Sequence, residues 1–365
     1  IAVGWYCLTP VGKPLTFLDR HIRVGNALIG ATPDLVAAGL PDEAFTAIGD
    51  DDKKACTVLK RRNASERAGI GGLFVAEDRF DAAALRQAAV TVDDLPDDQP
   101  EDVKRKEDAY RQSQQAYDYQ ARELLFNAWC AAFVFPKRFD ANGREPIGIT
   151  QSHLTGIARN RGLADELRVE VRKLAEQYRF FHWHLAFPEV FDQGGFDCVL
   201  GNPPWERIKL QEQEFFASRN EEIANARNAA VRKKLIAGLP VTDPDLWIEW
   251  NNASTQAQGE SHFARSSGRY PLCGKGDINT YALFAEHNWR TIASRGRAGF
   301  LVPSGIATDD TTKDYFKAIT ESRALASMWE FENRRHFFPA ATGGNVKFVL
   351  ATLAGREHPI EAADF

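Results

Sequence analysis

The hydrophobic pattern divides the 365-residue chain into a short opening, a long helical middle and a closing alternation of strands and helices. Ile22 to Val24 is a brief extended run ending at Gly25 and Asn26. From about Ala31 to Arg179 the texture is polar and helical. The spacing predicts one or two short helices between Glu66 and Ala89, a loop over the acidic stretch Val92 to Asp102, one long helix from Val103 to Phe135, and another from Asp165 to Tyr178. Tyr110, Tyr117 and Leu124 recur at heptad spacing with Ala121 and Ala128 as a second row, which reads as a helix–helix seam. The glycines Gly69, Gly71 and Gly72 do not read as a cofactor loop, because no apolar strand precedes them.

After Arg179 the pattern changes. Cys198, Val199 and Leu200 form an apolar run bounded by turn residues, the signature of a buried central strand of a parallel sheet. Glu221 to Ala237 reads as a helix with acidic residues in its first turn and Arg232, Lys233 and Lys234 in its last, stopped by Gly238 and Pro240. Asp277 is placed to cap a helix over Ile278 to Thr291. Strands follow at Gly296 to Pro303, Ala326 to Phe331 and Val346 to Leu353, with a helix at Thr308 to Thr320 between the first two. Helix alternating with strand is the βαβ unit, so the fold expected is α/β.

The hydrophobic content is 44%, enough for a full core and two or three domains. No apolar run has membrane-spanning length and no signal peptide is visible, so a soluble, cytoplasmic protein is expected. The five cysteines are scattered and lack Cys-x-x-Cys spacing, which suggests neither a disulfide framework nor a zinc site. His182 and His184 lie among aromatics and are read as structural rather than metal-binding, so no metal is expected. A net charge of −5 offers no global attraction to nucleic acid, and binding would need local basic patches.

The chemistry concentrates where the strand at 196–200 ends. Gly201 and the pair Pro203 and Pro204 forbid both further ladder pairing and an immediate helix, so the chain turns out at the strand's carboxyl end, where open α/β sheets bind ligands. That turn presents the Asn202 amide, a free carbonyl on Pro203, and Trp205. The Asn202 oxygen and the Pro203 carbonyl can together accept from one exocyclic amine, while Trp205 stacks on a flat base for roughly 1–3 kcal/mol. Asn26, also at the end of an extended run, suits an adenine contact or a helix cap.

Asn202, Pro203, Pro204 and Trp205 after a hydrophobic strand resemble the catalytic motif of N6-adenine-specific DNA methyltransferases of the large restriction and phage-defence family, type IIG or BREX-like. The lead-in Phe181 to Phe191, the stretch Asp277 to Phe284 and the stretch Gly296 to Gly305 resemble further motifs of that family in its own order. The resemblance implies a partial Rossmann-like class I methyltransferase sheet carrying a long helical insertion. Residues 1–30 would be one edge of the sheet domain, 31–179 the insertion, and 180–365 the catalytic core, with a loop–helix excursion at 206–276. It further implies S-adenosylmethionine as cofactor, with Asn26 holding its adenine, and double-stranded DNA as partner, alongside other restriction or defence subunits. Asn202, Pro203 and Trp205 would be the catalytic set. Phe338, with Phe337 as its rival, would stack on the second face of the extruded base. Arg207, Lys209, Arg265, Arg269 and Lys275 are candidates for DNA-backbone contact.

The family's glycine-rich cofactor turn and ribose-binding acidic residue, which would precede Asn26, are not found. The first two strands of the sheet are therefore expected outside this chain. Two other readings stay open: a methyltransferase acting on an RNA base or a protein glutamine, and a degenerate fold that binds DNA or a partner without turnover.

Overall fold

The computed structural model describes residues 17–70, 82–333, 347–357 and 360–364. In chain order its main helices are α1 (Lys53–Ile70), α2 (Ala82–Asp93), α3 (Pro100–Gln115), α4 (Tyr117–Val134), α5 (Gln151–Ala158) and α6 (Asp165–Tyr178). Strand β1 (Phe196–Gly201) follows, then α7 (Glu221–Ala224), α8 (Ala229–Thr242), α9 (Pro244–Ser266) and α10 (Thr280–Thr291). The chain closes with β2 (Ile292–Pro303), α11 (Lys313–Glu321), β3 (Leu325–Glu332) and β4 (Lys347–Ala354).

The four strands form one mixed sheet in the order β1-β2-β4-β3. β1 and β2 are parallel, with Val199 opposite Ala298 and Leu200 opposite Gly299. β4 inserts antiparallel to both β2 and β3. Helices α10 and α11 supply the crossovers and cover one face. There Ala298, Phe300 and Val302 of β2 and Val349, Ala351 and Leu353 of β4 pack with Leu283, Tyr315 and Ile319. The opposite face leaves Leu200, Trp329, Phe331 and Leu350 exposed.

β1 corrects its expected place. It is parallel, as read, but among the described residues it pairs with β2 alone, and Leu200 is 79% exposed. Apolar composition tells what a strand can bury, not how many neighbours it receives. The run Ile22 to Val24 is likewise no strand: only Asn26 forms a bridge, to Phe180, and Val24 stands exposed.

A second core is helical. Trp129 and Phe133 of α4 meet Phe263 of α9, with Phe133 and Phe263 centroids 5.3 Å apart, and Tyr178 of α6 joins the same cluster. α9 therefore packs its carboxyl half into the core built by α4 and α6. A small third core unites Phe216, Ile223, Ile236, Leu239 and Leu246.

Several boundaries moved for local reasons. The expected helix from 103 to 135 is two helices, α3 and α4, broken where Ala116 turns extended at ψ 139°. The heptad row fails across that break, and Tyr117 is exposed. The expected helix from 221 to 237 is also two, because Asn220 and Asn228 each cap a new start: their side-chain oxygens accept from the N–H of Ile223 and Val231. α8 then runs through Pro240 to Thr242. Asp277 does not cap α10, whose N-cap is Asn279. No described helix is long and apolar enough to cross a membrane.

Candidate active site

The turn after β1 is held from one side. Past Trp205 the chain lies antiparallel to residues 277–280: Arg207 bridges Asn279, the Ile208 N–H donates to the Ile278 carbonyl at 3.0 Å, and the Thr280 N–H donates to the Glu206 carbonyl at 2.8 Å. Pro203 is buried, whereas Asn202 and Pro204 are exposed. Trp205 is half-buried, and its indole N–H donates to the Leu301 carbonyl at 3.3 Å. Its ring leans on Phe348 at 6.3 Å, and Phe348 in turn stacks on Phe331 at 5.6 Å. Among the described residues the Asn202 amide has no hydrogen-bond partner, so both its oxygen and its NH2 are available to a ligand.

Asn26 lies across from this turn. Its backbone N–H donates to the Arg179 carbonyl at 2.7 Å, and its side-chain oxygen accepts from the Leu28 N–H at 3.1 Å. That Asx turn uses the amide oxygen and leaves the NH2 as a donor. Segment 25–31 packs so closely on 180–182 that a Cβ on Gly30 would collide with the Phe181 carbonyl. Asn26, Ala27 and Leu28 share a cavity of about 270 Å³ with Pro204, Ile208, Thr280, Leu283 and Phe284. The structure thus brings the Asn26 loop and Pro204 of the proline turn to one cavity, mostly apolar, with Glu260 in its lining. Burial raises the Glu260 pKa.

A buried polar network braces the Asn26 side. The Ala31 N–H donates to His182 Nδ1 at 3.1 Å, so the proton sits on Nε2, 2.9 Å from Asn127 Oδ1. Burial, with the nearby Arg269 charge, pushes the His182 pKa down to about 3 and keeps the ring neutral. His184 stacks on Phe191 at 4.0 Å, and burial lowers its pKa to about 4. Arg269, expected at DNA phosphates, is instead 7% exposed. Its guanidinium donates to the Gly30 carbonyl at 2.8 Å and the Tyr270 hydroxyl at 3.0 Å, and Tyr270 donates on to the Leu28 carbonyl at 2.8 Å. Arg269 is a strut, because its loop folds inward under Glu286, whose carboxylate accepts from the Cys273 N–H at 2.9 Å.

The other four cations stay at the surface. Arg207 pairs with Asp277 at 3.0 Å, Lys275 pairs with Asp314 at 2.9 Å, and Arg265 donates to the Gly276 carbonyl. Three of them thus gather at the turn 275–277. Lys209 is exposed with no side-chain partner among the described residues. Exposed ion pairs of this kind are worth roughly 0–1 kcal/mol and exchange readily for a phosphate. Phe337 and Phe338 lie outside the described residues.

Sequence reading missed Phe348 and Thr280 as parts of this site and gave Arg269 a phosphate role in place of its structural one. Phe348 carried no signal separating it from its core neighbours. Thr280 sat inside a recognised stretch without a role of its own.

Residues 99–234 match the family model described as Eco57I restriction-modification methylase. That span runs from the start of α3 through β1 and the Asn202–Trp205 turn into α8, so it contains the exposed amide. The match covers less than half of the chain and supports a likeness to restriction-modification methylases over that span. No curated protein and no solved structure matches the chain.

Proposed function

We propose that this chain supplies the base-holding part of an S-adenosylmethionine-dependent DNA adenine N6-methyltransferase from a restriction or phage-defence system of type IIG or BREX-like kind. The observation that carries the reading is the exposed Asn202 amide, without a partner among the described residues, in the same turn as Pro204, which lines a cavity with the Asn26 loop. The flipped adenine presents its N6 amine to two acceptors, the Asn202 side-chain oxygen and the Pro203 carbonyl. Their pull sharpens the nitrogen lone pair, and Trp205 takes one face of the base. Flipping costs about a few kcal/mol, which these contacts offset.

The cavity fits the adenine end of the cofactor: it has apolar walls at Ile208, Leu283 and Phe284, and Asn26 offers an amide donor to a ring nitrogen. S-adenosylmethionine supplies a sulfonium-activated methyl group when bound. The chain's residues contribute position and exclusion of water rather than a nucleophile or base. Lys209, Arg207, Arg265 and Lys275 form the proposed phosphate-contact side.

The test is nucleoside mass spectrometry of DNA incubated with S-adenosylmethionine and the protein carrying this chain. N6-methyladenine is the expected product. N4-methylcytosine would redirect the base assignment. DNA that stays unmodified while an RNA or a protein glutamine is methylated would replace the reading.

A further inference from the structure

We infer that Thr280 is the positioning residue that sets the Asn202–Trp205 turn, an inference that rests on the methyltransferase reading for its functional meaning. The argument starts from the torsions available between Gly201 and Trp205. The rings of Pro203 and Pro204 fix φ at both positions. Asn202 and Pro203 each precede a proline, which confines their ψ to extended values. Downstream of the Pro203 carbonyl, ψ of Pro204 is the first torsion that neither a ring nor a following proline restricts, and it decides where the Pro204 carbonyl and Trp205 go.

Thr280 acts on that torsion. Its hydroxyl lies 2.7 Å from the Pro204 carbonyl and 3.0 Å from the Glu206 carbonyl, and it accepts from the Glu206 N–H at 3.2 Å. One hydroxyl has one proton. The Glu206 carbonyl already receives the Thr280 backbone N–H at 2.8 Å, so the hydroxyl proton goes to Pro204. Thr280 therefore holds both backbone groups of Glu206 and the carbonyl of Pro204, the residues on either side of Trp205. The indole bond to Leu301 fixes the same residue from its far end. Thr280 opens α10 after an N-cap residue, Asn279, whose side chain makes no capping bond, so its hydroxyl reaches across to the turn instead of serving its own helix. It also lines the shared cavity, which puts the clamp next to the ligand rather than behind the core.

Thr280→Val keeps the shape and removes the hydroxyl; Thr280→Ser keeps the hydroxyl. The chain has eight tryptophans, so 5-fluorotryptophan labelling gives eight fluorine resonances, with Trp205 assigned through Trp205→Phe. The expected result is a shifted or broadened Trp205 resonance in Thr280→Val, the other seven unchanged, and the wild-type position in Thr280→Ser. In methyl transfer, Thr280→Val should lower kcat about tenfold, and Thr280→Ser should restore it. An unmoved Trp205 resonance in Thr280→Val overturns the inference. So does a change in all eight resonances, which would assign Thr280 to the fold as a whole, or a failure of Thr280→Ser to restore Trp205. If the wild-type protein makes no N6-methyladenine while Trp205 still answers to Thr280, the methyltransferase reading fails and the clamp stands.

Discussion

The two walls of the candidate site are built in opposite ways. The Asn26 wall is locked by buried polar groups: Arg269 and Tyr270 hold the carbonyls of Gly30 and Leu28, and neutral His182 ties Ala31 to Asn127. The Asn202 wall is exposed, its amide unpartnered among the described residues, and it is held by a few backbone contacts and one hydroxyl. The difference separates two jobs. A wall that shapes a cavity gains from satisfied, desolvated hydrogen bonds that admit one geometry. A group that must grip a substrate amine has to keep its own hydrogen-bonding capacity unspent until the ligand arrives.

Substitutions should therefore fail differently on the two sides. The largest effect expected is from Asn202→Ala: kcat for methyl transfer falls by at least about 100-fold, while thermal stability and DNA affinity stay near wild type. Retained N6-methyladenine formation would remove Asn202 from the chemistry. Next comes Arg269→Leu on the other wall. It strands the buried Gly30 carbonyl and should cost about 2–3 kcal/mol in denaturant unfolding, with DNA affinity changed little in whatever fraction stays folded. Unchanged stability together with weakened DNA binding would return Arg269 to the phosphate-contact set.

The smallest effect is one of pH. An unfolded imidazole titrates near 6.5, whereas folded His182 titrates near about 3. Between those values the unfolded chain binds more protons, so the stability that His182 contributes is complete above about pH 6.5 and is lost as pH falls toward 3. At pH 5 this amounts to at most about 2 kcal/mol. Glu123 and Glu260, whose pKa values burial raises, act in the opposite sense. The decisive measurement is the difference between wild type and His182→Gln in melting curves from pH 7 to 5. The wild type should lose stability more steeply, and parallel curves would mean that the imidazole is not held neutral.

The parts legible in the sequence were those fixed by short-range chemistry. Gly201 and two prolines had to end a strand and expose Asn202, whatever surrounded them. The helix at Asp165–Tyr178 stands where its periodicity put it, and the strands after Arg295 were displaced by only a few residues. The breaks at Ala116 and Asn228 were missed because helix propensity on both sides was high, and one extended residue or one asparagine cap was enough to divide each run.

What the sequence could not assign was burial and partnership. Cys198 to Leu200 is apolar enough for a sheet centre, yet among the described residues its strand stands at an edge, because exposure is decided by neighbours and not by composition. Arg265, Arg269 and Lys275 looked alike in one loop. Tertiary structure sent one inward to carbonyls of a distant segment and left two at the surface. The sequence by itself determined the turn and the groups it offers. Only the tertiary structure decided that Asn26 and Pro204 share a cavity and that Thr280 reaches Pro204, because hydrogen bonds between residues far apart in sequence depend on where packing brings the backbone.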